Sequence, residues 1–128
     1  MIDEQESERL ANNAQVAIKM FANVNEQVLE FDEPSVAIVD AFINEKVGVF
    51  QDPTLFQLVS VLGAFLGECV RKNYGGNWDV INKELGIRFD EKNAVFPFTK
   101  VRKHLEYGSV DSIHSFYTAI PLIFKLTT

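Results

Sequence analysis

Apolar residues recur at intervals of three and four near the start of the chain. Leu10, Ala14, Ala17, Ile18, Phe21 and Val24 fall on one stripe, which predicts an amphipathic helix over residues 3–26. Asp3 stands where an N-cap belongs, and Glu6 three residues on completes a box-like pair. Val28 to Phe31 is too short for an element of its own and reads as an extended connector. Asp32-Glu33-Pro34-Ser35 is a turn and a helix start, because a first-turn proline lacks only a donor that would be unpaired there. Val36, Val39, Ala41, Phe42 and Ile43 then form the apolar face of a second helix, with Gly48 as its stop. Asp52-Pro53 opens a third helix in the same way. It runs to Asn73 and is apolar on most of its surface, which places it at the centre of the fold.

Gly63 and Gly67 interrupt that third helix four residues apart. Each costs up to ~1 kcal/mol of helix propensity relative to alanine. The cost is repaid if another part of the same chain packs directly on the glycine face. Gly75 and Gly76 can take positive φ, which ends the helix and reverses the chain. The order helix, glycines, strand is the reverse of a phosphate-binding loop, so no nucleotide site is expected there.

Past the glycines the period changes from helical to alternating. Ile87 and Phe89 flank Arg88, the pattern of a strand with one wet face. Trp78–Ile81, Gly86–Asp90 and Ala94–Phe96 are expected to form a three-stranded antiparallel meander ended by Pro97. Thr99 is expected to cap a helix over Lys100–Tyr107, closed by Gly108. Ser109 or Asp111 is expected to cap a last helix bearing Ile113, Phe116, Tyr117 and Ile120, which Pro121 breaks or kinks. The expected architecture is a single α+β domain over residues 1–128, with about five helices packed around a small three-stranded antiparallel sheet in the second half. Its expected core includes Phe21, Ile38, Phe42, Leu58, Leu62, Phe65, Leu66, Trp78, Phe89, Phe96, Val101, Leu105, Phe116 and Tyr117.

Composition supports one self-sufficient core. The chain has 128 residues, 47% hydrophobic and with 11 Phe, so no disulfide or metal is needed to hold it. Charge changes the picture more. The formal net charge is −6. Residues 1–34 carry Asp3, Glu4, Glu6, Glu8, Glu26, Glu30, Asp32 and Glu33 against only Arg9 and Lys19, while the remainder is balanced. The first quarter therefore holds the whole imbalance. Its sign disfavours nucleic acid and anionic membranes and suits a basic protein partner. The N-terminus lacks the basic start and apolar run of a secretory signal. The most apolar stretch, Leu55–Val70, is interrupted by Gln57, Ser60 and Glu68, so a cytoplasmic protein with no membrane span is expected.

Candidate chemistry is sparse. His104 and His114 lie ten residues apart, not at the i, i+3 or i+4 spacing of helical metal pairs, and no metal or other cofactor is expected. Cys69, the single cysteine, sits in an apolar helical run that hides a thiol and raises its pKa, so it is expected to be a buried hydrophobe. Arg71, Lys72, Lys83, Arg88, Lys92, Lys100, Arg102 and Lys103, with Tyr74, Trp78 and Tyr107 nearby, suggest a single-stranded nucleic-acid surface, but acids in the same half cancel every base. Glu68 follows Gly67 and precedes Arg71 by one turn. The plainer reading is an ion pair with Arg71 or Lys72 at the edge of the buried face; the sharper and preferred one is that Glu68 accepts hydrogen bonds from backbone groups around the Gly-Gly turn or near Trp78, locking helix to sheet. The structural set is thus Gly63, Gly67, Glu68, Gly75, Gly76 and Trp78, with no catalytic residue.

The stretches LGAFLGECVRKNYGGNW (Leu62–Trp78) and FPFTKVRKHLEYGSVDSIHSFY (Phe96–Tyr117) resemble a pattern of small bacterial proteins and domains of unknown function: LGxxLGE, GGxW, FPFxKVxKxLExG and DSIxSFY. The resemblance covers roughly the second half of the chain and brings no catalytic role. In size, acidity and style the chain is similar to immunity proteins of bacterial toxin systems, which bind and block a cognate toxin, frequently a basic one, without chemistry. The resemblance thus implies a non-enzymatic binding protein whose partner meets the acids of the first quarter. The alternative expectation is a structural or regulatory module that forms a homodimer through its apolar tail, Pro121–Leu126.

Overall fold

Asp3 accepts the Glu6 backbone N–H at 2.8 Å and starts helix α1, Glu4–Val24. The Glu6 carboxylate does not turn back to close a box; it pairs with the Arg9 guanidinium, one helical turn on. Asp32 caps α2, Glu33–Glu45, by accepting the Ser35 N–H at 2.9 Å, with Pro34 in the first turn. Helix α3 spans Thr54–Tyr74, strands β1, β2 and β3 span Asn77–Ile81, Glu84–Arg88 and Ala94–Val95, and helix α4 spans Pro97–Tyr107. A 3-10 turn, Gly108–Asp111, leads into α5, Ile113–Ile123. This computed structural model describes residues 2–124. It is an α+β fold of five helices with the antiparallel sheet in the second half.

Helix α3 is the post. Every residue from Leu62 to Val70 is buried, and α1 and α4 pack along it, while α5 lies chiefly on α2. By length and composition α3 could cross a membrane, despite the polar residues that argued otherwise, but here its stretch from Leu62 to Val70 is buried in the core. The strand order is β1-β2-β3, and the register sets Trp78 opposite Ile87 and Ile87 opposite Val95. These three form one row across the sheet and all are buried. Asn82 and Lys83 both hold positive φ in the two-residue β1–β2 turn, as a twisted hairpin requires.

Several local expectations are corrected. Val24 is 73% exposed, because α1 outruns the body it packs on. Ala41 is exposed and Phe42 only partly buried, since α2 turns Val36, Val39 and Ile43 inward instead. Ile38, Leu58, Phe89, Phe96 and Phe116 are likewise only half-buried. Helix α4 begins at Pro97, whose ring needs no donor there, with Phe96 in the cap position. The Thr99 hydroxyl is thereby inside the helix and donates to the Glu84 carboxylate. The cap of α5 is Ser112, whose Oγ accepts the Ser115 N–H at 3.1 Å, because Ser109 and Asp111 are spent in the 3-10 turn. Pro121 lies inside α5 without ending it. It falls so near the end that it forfeits a single backbone bond while the helix closes through Phe124 N–H to the Ile120 carbonyl at 3.0 Å.

Candidate functional site

The residues of the recognised pattern meet at the centre of the molecule. The Phe98 ring lies directly over Gly63 and the Trp78 indole directly over Gly67, so close that a methyl group at either glycine would overlap the ring. The two rings touch each other, with centroids 5.6 Å apart. Beside them Trp78 Nε1–H donates to Glu68 Oε2 at 3.0 Å, and Arg71 Nε–H donates to the same oxygen at 2.8 Å. The guanidinium is the ion-pair partner one turn on that the spacing offered, whereas the second donor is an indole and not the backbone groups expected. The reason is geometric: the indole that fills the Gly67 notch brings its N–H to the next residue on the helix. Gly76, at φ +87°, backs onto Ile87 and Phe89, whereas Gly75, at φ +90°, faces open space and serves the chain reversal alone. LGxxLGE, GGxW and FPF together therefore describe a buried lock between α3, the sheet and α4.

Glu68→Gln keeps an acceptor for the indole but removes the charge that holds Arg71. A charge-assisted hydrogen bond with one exposed partner supports a loss of about 1 kcal/mol. The expected result is a melting temperature lower by about 3–5 °C, read by circular dichroism.

A second polar cluster joins α2, α4 and α5. His104 on α4 is fully buried. Its Nε2 is 2.6 Å from Asn44 Oδ1, and its Nδ1 accepts the Ile113 backbone N–H at 3.2 Å. Asp40 Oδ2 accepts the Ser112 hydroxyl and, at 3.0 Å, the His114 N–H. Asn44 Nδ2 donates to Asp40 Oδ1 at 3.2 Å, one turn back on α2. The sequence reading missed this cluster. Its one signal was Asp40 and Asn44 spaced by four on a helix otherwise read for its apolar face.

The eight acids of the first quarter do not form one surface. Asp3, Glu4, Glu6 and Glu8 lie at the start of α1; Glu26, Glu30, Asp32 and Glu33 lie beyond its end. A helix of 21 residues separates the groups by about 30 Å. Asp3 and Asp32 are committed as caps, and Ser35 holds the Asp32 carboxyl below the usual range. Glu6 pairs with Arg9, and Glu33 Oε2 is 3.5 Å from His114 Nε2. Glu4, Glu8 and Glu26 are exposed and form no ion pair among the described residues. Among the described residues, four of the eight basic residues named in the second half are in ion pairs: Arg71 with Glu68, Arg88 with Asp79, Lys100 with Asp111, and Arg102 with Asp52 and Glu106.

Openings and reactive groups do not coincide. One concavity, of about 520 Å³, runs between the start of α1, the start of α3 and α4, and is bordered by Phe56, Phe98, Tyr107 and Arg102. A recess of about 470 Å³ lies where α1 ends and α2 passes, walled by Asn25, Gln27, Ala37, Ile38, Ala41, Phe42 and Glu45. Burial pushes up the pKa of Cys69 and of Tyr117, and neither residue borders any of these openings. Among the described residues no three His, Cys, Asp or Glu side chains are placed to hold a metal ion. At the end of the chain Phe124 packs on Phe89 with centroids 5.5 Å apart, while Leu122 and Ile123 are 79% and 67% exposed. Lys125 and Leu126 of the expected apolar tail lie outside the described residues.

No family model matches the chain, and neither a curated protein nor a solved structure matches it.

Proposed function

We propose that this chain is a non-enzymatic binding domain for a basic protein, of the immunity type that holds and neutralises a cognate bacterial toxin. The observation that carries the reading is the recess at the end of α1. Its floor is apolar, with Ile38, Ala41 and Phe42, and Glu45 stands on its wall. Glu26 lies between two wall residues, Asn25 and Gln27, and the exposed Val24 and Val28 adjoin it in sequence. An apolar floor with a carboxylate border suits a segment that presents lysine or arginine beside apolar side chains. The acids at the start of α1 add long-range attraction, which raises the rate of encounter more than the strength of the complex.

A cationic amphipathic peptide is the probe. Its association is expected to weaken steeply as salt rises from about 50 to 300 mM, because screening shortens the reach of the carboxylates. Glu26→Gln with Glu45→Gln is expected to weaken it about tenfold, and Glu4→Gln with Glu8→Gln less than about twofold. Equal losses from the two sets would reduce the effect to net charge and remove the recess as the site.

Self-association through the end of α5 is the second reading, favoured by the exposed Leu122 and Ile123. A monomer in sedimentation, with and without the residues after Ile120, would leave it without support.

A further inference from the structure

The first turn of any helix exposes backbone N–H groups that need acceptors from outside the helix. In α5 each is supplied by a different side chain. Ile113 N–H goes to His104 Nδ1, His114 N–H to Asp40 Oδ2 and Ser115 N–H to Ser112 Oγ. A backbone N–H can only donate, so Nδ1 of His104 carries no proton. Its Nε2 therefore carries the proton and donates to Asn44 Oδ1. The buried imidazole is thus a neutral ring with a single defined tautomer.

We propose that His104 is an acid-sensitive latch, whose protonation releases the first turn of α5 from α2 and α4. A proton added at Nδ1 occupies the place toward which the Ile113 N–H already points. Two donors then face each other at a separation of 3.2 Å, and the Ile113 N–H has lost its acceptor. The nearest carboxylate oxygen for the new N–H is Asp40 Oδ2, 3.8 Å away. That oxygen already receives the Ser112 hydroxyl and the His114 N–H, so turning it to the imidazolium withdraws the remaining anchor of the first turn of α5 on α2.

The charges acting on the ring come from three elements. Asp40 on α2 and Asp111 in the 3-10 turn favour the charged form, Lys100 on α4 opposes it, and burial opposes it most. The balance holds the imidazole below its ordinary value. His114 on α5 faces Glu33 with its own ring and meets Asp40 only through its backbone. A group whose folded pKa is depressed in this way gives full stability above about pH 6.5 and loses it as the pH falls, because the open state binds the proton more readily. The latch requires no partner and is independent of the recess on α2.

Amide hydrogen exchange on the whole chain tests it. Between about pH 7.5 and pH 5.5, protection of the Ile113, His114 and Ser115 amides, corrected for intrinsic rate, is expected to fall severalfold, up to about tenfold. The amides of Leu62–Leu66 in α3 are expected to change less than about twofold over the same range. His104→Gln can still accept from Ile113 and donate to Asn44 but does not titrate, so it is expected to abolish the difference. Should that variant not fold, the His104 ring titration followed by NMR in the unaltered protein serves instead, since the loss of protection must set in above the ring's own midpoint, which lies below the free-imidazole value. Unchanged protection at the lower pH, an equal loss in the glutamine variant, or a ring midpoint at or above the free-imidazole value would each overturn the latch.

Discussion

Gly67→Ala is expected to destabilise the protein by about 2 kcal/mol, although alanine is the better helix former. The added methyl gains up to ~1 kcal/mol in helix propensity. Against that, it would overlap the six-membered ring of Trp78 and force the indole off its seat. The indole is held on one side by the Phe98 ring and at its N–H by Glu68. Forcing it outward breaks a buried hydrogen bond and opens the row formed with Ile87 and Val95, and overpacking of this kind costs ~1–3 kcal/mol. The melting temperature should fall by about 8 °C. A double-mutant cycle isolates the cause. Trp78→Leu removes the colliding ring, so alanine at position 67 should cost at least ~1 kcal/mol less in that background. Additive losses would mean that Gly67 matters for some reason other than the seat of the indole.

Asp40→Ala is expected to cost about 2–3 kcal/mol, combining a lost helix anchor with lost charge-assisted hydrogen bonds. Asp40 accepts from the Ser112 hydroxyl, the His114 N–H and Asn44 Nδ2, so its removal leaves three donors without their acceptor. The Asn44 amide would also lose the bond that orients its oxygen toward His104. Asp40→Asn retains one acceptor oxygen and is expected to cost about half as much. Urea unfolding measures both. Two variants of equal stability would show that the neutral acceptor oxygen holds nothing and that the carboxylate charge carries the whole anchor.

The notch glycines were legible because a glycine in the middle of a helix lowers its stability, and only close approach from outside offsets that. What fills each notch was less accessible. Gly67 and Trp78 are eleven residues apart and joined by one chain reversal, but Phe98 reaches Gly63 only because α4 lies along α3. Of the Asp40–Asn44–His104 cluster, only the Asp40–Asn44 pair, four apart on one helix, left a trace in the sequence. His104 and Asn44 are 60 positions apart, and Asp40 and Ser112 are 72 apart, so no spacing rule connects them. The acidic quarter was read as one surface because sequence carries no distance. A rigid helix then placed its halves at opposite ends.

Periodicity and punctuation determined the elements of this protein: five helices, three strands and the corners between them. They could do so because caps, prolines, glycines and alternating apolar positions act on neighbours within a turn or a strand pair. Tertiary structure alone decided which side chains share a cavity, which carboxylates are used as anchors and which stay in solvent. Those outcomes depend on how helices lie across one another, which is set by the packing of buried surfaces from distant parts of the chain. The lock at α3 belongs partly to both levels, while the anchor of α5 on Asp40 and His104 belongs wholly to the second.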